Sequence, residues 1–309
     1  MSSASSNVPL LRPFVAGRFV ETVNRRQLLA PYDRRVLGEV CECSQAEIDE
    51  ALRAAESALA LTRALTTDKR AAICTAIARG LLSAKERLAH AICDDAGKPI
   101  ADAQAEVTRA VLCFELAAAE VLTTSGEGQV LPMDLAPLGY GRTGIVRRFP
   151  LGPIAAISPF NFPLNLLVHK VAPAIAAGCP IVCKPASQTP SVALVLAEIL
   201  HAAGWPSGAL SVLPATRAAA DLLVTDDRCK LLTFTGSAPV GWDMKARAGK
   251  KKVTLELGGN AAVIIDETCS EHDLETIVPK LVYGAYSYSG QKCISIQRVY
   301  VVARQGDRL

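Results

Sequence analysis

The chain has 309 residues, 50% of them hydrophobic, and its 33 Lys and Arg against 30 Asp and Glu leave a net charge of +3. That length allows two domains and a substantial core, which excludes extensive disorder away from the ends. The near-balanced charge, with only the short basic runs Arg147 to Arg148 and Lys250 to Lys252 and few aromatics between them, excludes nucleic acid as an expected partner.

The opening MSSASSN is small and polar, with no apolar run behind a basic cluster. It reads as a loose tail and not as a secretory signal, so a cytoplasmic protein is expected. PFVAGRFV (13–20) and RRVLGEV (34–40) read as short strands. Ser44 with Glu47 and Ser83 with Glu86 have the spacing of capping boxes, and helices are expected over roughly 45–62, 68–81, 84–94 and 100–122. Around 124–149 Gly, Pro and Thr accumulate without helical periodicity, which predicts an extended arm or β-hairpin. Phe149 to Val168 carries no charge for twenty residues, but Pro150, Pro153, Pro159 and Pro163 break it, so no membrane span is expected there.

From residue 151 the pattern alternates. Strand-like runs at GPIAAIS, PIVCK, ALSVLP, KLLTFTG and KVTLELG are separated by helix-like runs such as NLLVHKVAPAIAAG, SVALVLAEILHAAG and APVGWDMKARAG. This predicts an α/β fold with a doubly wound parallel sheet, whose ligand lies at the carboxyl ends of the strands. Asn161, Lys184, Gly236, Ser237 and Glu256 all fall at those ends.

The ten cysteines include no Cys-x-x-Cys pair, and most read as reduced, buried thiols with no metal site. Histidines 90, 169, 201 and 272 are scattered over helical stretches and read as structural. One formal G-x-G-x-x-G, at Gly139, Gly141 and Gly144, lacks the preceding strand and following helix that a dinucleotide fingerprint needs.

Five motifs occur in order: ISPFNFPLN, KPASQTP, LTFTGS, LELGGN and SGQKCIS, preceded by GKPIADAQAEV. Together they resemble the aldehyde dehydrogenase superfamily over nearly the whole chain. The resemblance is nearest to the group acting on glyceraldehyde 3-phosphate without phosphorylation, lactaldehyde and phosphonoacetaldehyde. It implies a Rossmann-like cofactor domain over 1–124 and 150–258, an extended oligomerisation arm over 125–149, and the incomplete start of an α/β catalytic domain over 259–309. It also implies oxidation of an aldehyde to its acid through a cysteine thioester, with NAD or NADP as cofactor.

By that resemblance Cys293 is the nucleophile, and Asn161 with the Cys293 backbone N–H forms the oxyanion hole. Glu256 is the general base for thioester hydrolysis, and its place between two leucines and a Gly-Gly pair predicts partial desolvation. Ser158, Pro159, Phe160, Lys184, Ser187, Gly236, Ser237, Leu257 and Gly258 are the implied cofactor-binding set. Serine at 187, where many NAD-preferring relatives carry glutamate, removes a repulsion and admits NADP. Arg109 and Lys292 are implied contacts for an anionic substrate tail, although Arg109 could instead pair structurally with Glu106. Family members normally continue well past the nucleophile. The chain therefore reads as truncated, and the alternative is a catalytically silent nucleotide-binding fragment. A third reading, coenzyme A acylation, is disfavoured by Glu256, and the span from Glu256 to Cys293, slightly longer than is usual in the family, implies a small loop insertion near CSEHD (269–273).

Overall fold

A computed structural model describes residues 8–124 and 128–308. The first elements are β1 (Leu10–Leu11), β2 (Phe14–Val15), β3 (Arg18–Phe19), β4 (Arg25–Leu29) and β5 (Val36–Cys41). Four helices follow: α1 (Gln45–Ala64), α2 (Thr67–Ser83), α3 (Lys85–Ala96) and α4 (Ile100–Thr124). The hairpin β6 (Gly128–Pro132) and β7 (Thr143–Arg147) leads to β8 (Ile154–Ile157), α5 (Asn165–Ala177), β9 (Ile181–Lys184), α6 (Pro190–Ala202), β10 (Leu210–Val212) and α7 (Arg217–Thr225). The chain continues through β11 (Leu231–Gly236), α8 (Ala238–Arg247), β12 (Lys252–Leu257), β13 (Ala262–Ile265), α9 (Glu271–Tyr286) and β14 (Arg298–Val301).

The main sheet has the order β12-β11-β8-β9-β10-β2-β3. Its first five strands are parallel, and β2 and β3 add an antiparallel edge, so the expected parallel sheet is mixed at one side. The doubly wound expectation follows from the physics of the runs. Ile154 and Ala156 point into a core shared with α2 to α6, while Ala155 and Ile157 point into a second core shared with α1, α7 and α8. A strand covered on both faces must be apolar throughout, which is how it reads in the sequence. Because β9 and β11 flank β8, the winding reverses there, and a crevice opens beyond the carboxyl ends of β8 and β11.

Several local expectations change. Ser44 and Glu47 form the capping box of α1, but Ser83 and Glu86 do not cap α3. Ser83 is still in the last turn of α2, and the single residue Ala84 joins the helices, so Ser83 never adopts the extended backbone of an N-cap. Glu86 accepts from Gln104 Nε2 instead, at 3.2 Å. Near CSEHD, residues 266–270 form the loop from β13 to α9, and Ser270 and Asp273 form the capping box that opens the helix. The formal G-x-G-x-x-G lies in the β6–β7 hairpin. A Cβ on Gly139 would stand 1.6 Å from the carbonyl oxygen of Met133, so that glycine serves chain packing at the hairpin tip. Residues 125–127 of the expected arm lie outside the described residues.

Among the described residues no helix is long and apolar enough to cross a membrane, and no group of His, Cys, Asp and Glu could hold a metal. All ten cysteines are free.

Asp95, at the end of α3, is buried and accepts from Ser191 N at 2.9 Å and Ser191 Oγ at 2.8 Å, tying α3 to the start of α6. Burial pushes its carboxyl up to about 7, against the pull of those hydrogen bonds. Between about pH 3.9 and 7 the native state therefore holds a proton that the unfolded chain has released, and stability falls as pH rises through that window. Urea unfolding at pH 5 and pH 7.5 is expected to show a fall on the order of 2 kcal/mol that Asp95→Asn lacks. Equal falls in both proteins would contradict this account.

Candidate active site

The site is assembled at the carboxyl ends of β8, β11 and β12. Asn161 lies in the turn after β8, and its side-chain Nδ2 donates to the carbonyl oxygen of Gln291 at 2.9 Å. Its Oδ1 accepts from Phe162 N at 3.1 Å, which fixes the amide's orientation. An amide NH2 carries two hydrogens, so one stays available after the bond to Gln291.

Gln291 is two residues before Cys293. Cys293 is exposed, in a turn after the one-turn helix Ser287–Gly290, and its backbone N–H has no partner among the described residues. The approach to this turn is tightly wound, with Tyr288 at φ 52° and Ser289 at φ 55° in the left-handed region. Side chains pay for that conformation. The turn is held by Gln291 N to Tyr288 O at 3.1 Å, Lys292 N to Gly290 O at 2.8 Å and Ser295 Oγ to Ala285 O at 3.0 Å.

The LELGGN segment meets the same turn from the other side. A Cβ on Gly259 would lie 3.3 Å from the Cys293 carbonyl oxygen, so glycine permits the close approach. The structure thus brings the segments of Asn161, Cys293 and Glu256 to one place. Glu256 itself departs from expectation: it is exposed, not partly desolvated. Its leucine neighbours are on the other face of β12, where Val253, Leu255 and Leu257 pack onto the core, and strand alternation turns Glu256 away from them.

The structure adds Lys170, which sequence reasoning missed. It lies beneath β11, buried, with Nζ donating to Thr233 Oγ1 at 3.2 Å and Thr235 Oγ1 at 2.7 Å. Burial lowers its ammonium to about 8, and the charge of Glu256 acts in the opposite sense. No carboxylate pairs with it among the described residues.

At the cofactor side, Gly236 ends β11 and Ser237 precedes α8 without forming a side-chain cap, so the amides of Ala238 and Val240 have no capping side chain, and Pro239 has no N–H. Ser158 donates through its backbone to Lys184 O at 3.1 Å, and its buried hydroxyl has no partner among the described residues. The buried hydroxyl of Thr189 is in the same state. Pro159 and Phe160 continue the turn after Ser158, and Leu257 and Gly258 lead from β12 toward Gly259. Lys184 Nζ donates to Pro185 O at 2.9 Å, and burial, with Arg26 and Arg217 adding to it, lowers its ammonium to about 8. Arg26 donates through Nη2 to Ser187 O and through Nε to Glu42 Oε1 at 2.8 Å. Arg26 comes from β4, a strand that its polar RRQLL sequence concealed.

Arg109 does not pair with Glu106, which is taken by Lys98; it is exposed, and its charge acts on His169. Lys292 Nζ donates to Ser287 Oγ at 2.7 Å and lies 4.9 Å from the centre of the Tyr283 ring. A cleft of about 990 Å³ between α2, α4, α5 and the base of the hairpin is lined by Arg63, Arg70 and Phe149, among others, and by none of Cys293, Asn161 and Glu256.

These features define a doubly wound α/β protein in which the side-chain amide of Asn161 meets the turn that carries Cys293 at the carboxyl edge of the sheet. The family model described as the aldehyde dehydrogenase family matches residues 19–309, and the chain belongs to that family. It is 37% identical over 296 residues to the lactaldehyde dehydrogenase of Methanocaldococcus jannaschii, covering 93% of this chain and 61% of that protein. It is 35% identical over 289 residues to the 3-sulfolactaldehyde dehydrogenase of Priestia megaterium, covering 93% and 59%. Among solved structures, aldehyde dehydrogenase 21 from Physcomitrella patens in complex with the reaction product succinate matches with a TM-score of 0.93 and 43% identity, over 97% of this chain and 62% of that one. The NADP-dependent glyceraldehyde-3-phosphate dehydrogenase from Bacillus halodurans, complexed with NADP, matches with 0.91 and 32%, over 96% and 62%. The chain thus spans about 60% of the length of these relatives.

Cys293 is the one exposed thiol, while six of the other nine are buried. A brief iodoacetamide pulse read by peptide mass spectrometry is expected to modify Cys293 at least about tenfold faster than Cys41, Cys43, Cys74, Cys179, Cys183 or Cys229. Comparable labelling of any of these six in the native protein would show that the site is not built as described.

Proposed function

We propose that this chain carries the nucleotide site and the reacting thiol of an NAD(P)-dependent oxidation of a small aldehyde to its carboxylic acid. The observation that carries this reading is the bond from Asn161 Nδ2 to Gln291 O. It joins two motifs 130 residues apart and holds the Asn161 amide against the turn that carries Cys293, two residues beyond Gln291. Cys293 as thiolate attacks the aldehyde carbon, and the free Asn161 N–H and the Cys293 N–H receive the developing oxyanion. When bound, the nicotinamide supplies the acceptor for the hydride. The cofactor site is built by Ser158, Pro159, Phe160, Lys184, Ser187, Gly236 and Ser237, with Leu257 and Gly258 on the nicotinamide side. The unpartnered Ser158 hydroxyl and the uncapped start of α8 fit a polar, anionic ligand. Glu256 takes a proton from the water that cleaves the thioester and returns Cys293.

The domain division follows: 1–124 with 150–258 for the cofactor, 125–149 for self-association, and 259–309 as the opening of a catalytic domain. Ten free thiols fit a reducing compartment, which supports a cytoplasmic location. Relatives named for lactaldehyde and sulfolactaldehyde favour a small polar aldehyde, with Arg109 and Lys292 as candidates for an anionic tail. The exposure of both Cys293 and Glu256 favours one second reading, a nucleotide-binding module without turnover.

Mixing the chain with NADP or NAD and a panel of small aldehydes separates the two. One equivalent of reduced cofactor per chain is expected, abolished by Cys293→Ala and slowed about 100- to 1,000-fold by Asn161→Ala. In Glu256→Gln the burst should remain while later turnovers fail. Binding of cofactor with no reduction would establish the silent module.

Arg26 donates to Ser187 O, Arg26 and Arg217 both act on the charge of Lys184, and the Glu42 carboxylate is occupied by Arg26. This arrangement favours a 2'-phosphate, hence NADP. Calorimetric titration of Arg26→Gln with Arg217→Gln is expected to weaken NADP about 10- to 100-fold, while NAD changes by less than about threefold. An equal loss for both nucleotides would rule out discrimination by these arginines.

A further inference from the structure

Lys98, in the turn before α4, and Glu106, within α4, touch none of the groups assigned to the chemistry. Their side chains are 1% and 0% exposed and form an ion pair with Nζ to Oε2 at 2.5 Å. A buried pair of this kind is tolerated only when its remaining hydrogen-bonding capacity is used. Glu106 Oε1 accepts from the backbone N–H of Leu164 at 2.9 Å and of Asn165 at 3.0 Å, the amides that open α5. Lys98 Nζ lies 3.8 Å from the centre of the Phe162 ring and 4.6 Å from that of Tyr288, and the two rings meet edge-on at 6.3 Å. An ammonium held between two aromatic faces is attracted to both, most strongly where water is excluded.

The placement of those rings matters. Phe162 immediately follows Asn161, and Tyr288 is five residues before Cys293, at the start of the left-handed turn. Tyr288 is further fixed by its hydroxyl, which donates to Ala96 O at 3.2 Å. One buried cation therefore grips both the Asn161 segment and the Cys293 segment, while its carboxylate partner caps the helix that begins behind Asn161.

We propose that Lys98 and Glu106 are positioning residues that set Asn161 against the Cys293 turn. The inference rests on the roles given to Asn161 and Cys293 above. The simpler role, a cap for α5 alone, requires Glu106 and makes no demand on the Cys293 turn.

Hydrogen exchange read by mass spectrometry on the 309-residue chain, without cofactor or aldehyde, separates these roles. In Lys98→Met, with far-UV circular dichroism unchanged, protection is expected to fall at least about tenfold both in 160–166 and in 286–294, with 181–184 and 231–236 unaffected. Lys98→Arg keeps the cation and should restore both segments, and the rate of Cys293 alkylation should follow the same order across the variants. Loosening of 160–166 alone, or an arginine variant no better than methionine, would overturn the proposal. If Lys98→Met does not fold, Phe162→Leu keeps the ion pair and removes one ring; unchanged exchange over 286–294 in that variant would likewise overturn it. Coupled loosening in a chain that never reduces cofactor would uphold the positioning role and defeat only the proposed oxidation.

Discussion

Burial of β8 on both faces is the constraint from which the rest follows. Ile154 and Ala156 are locked into one core and Ala155 and Ile157 into the other, with β9 and β11 on either side. Where β8 ends at Ile157 the chain leaves the two cores, and the polar residues that follow enter the crevice above the sheet. Ser158 and Asn161 occupy that position, and β11 and β12 deliver Gly236 and Glu256 to the same rim. The chemistry-bearing residues thus inherit their location from the packing of small apolar side chains beneath them.

Packing of this kind is legible in sequence because it imposes a pattern. The inner parallel strands are readable as apolar runs, β12 as an alternating run, and the start of α1 from the capping box at Ser44. The failures have equally specific causes. RRQLL conceals β4 because four of its five residues are exposed or only partly buried. Ser83 imitates a cap in a place where one helix runs into the next with a single residue between them. Glu256 looked desolvated because leucines flank it in sequence, but in a strand adjacent residues face opposite ways, so chain neighbours are a poor guide to surroundings.

The site divides along the same line. Its thiol, amide and carboxylate stand in short ordered motifs, whereas the groups that hold them in place do not. Lys98 meets Tyr288 across 190 residues, Arg26 reaches Ser187 across 161, and Lys170 finds its threonines on a strand more than 60 residues later. None of these contacts leaves a local pattern, since each depends on how distant elements are stacked. The family resemblance points to the residues proposed for the chemistry, whereas their supports arise only in the folded chain.

The β6–β7 hairpin has a consequence of another kind. Val130 stands opposite Ile145, both about 70% exposed, on a ribbon whose two outer edges pair with no other strand among the described residues. Two strands alone are marginal in water. A second copy of the chain covering this ribbon would stabilise it by mass action, and its melting would then depend on protein concentration as well as on temperature.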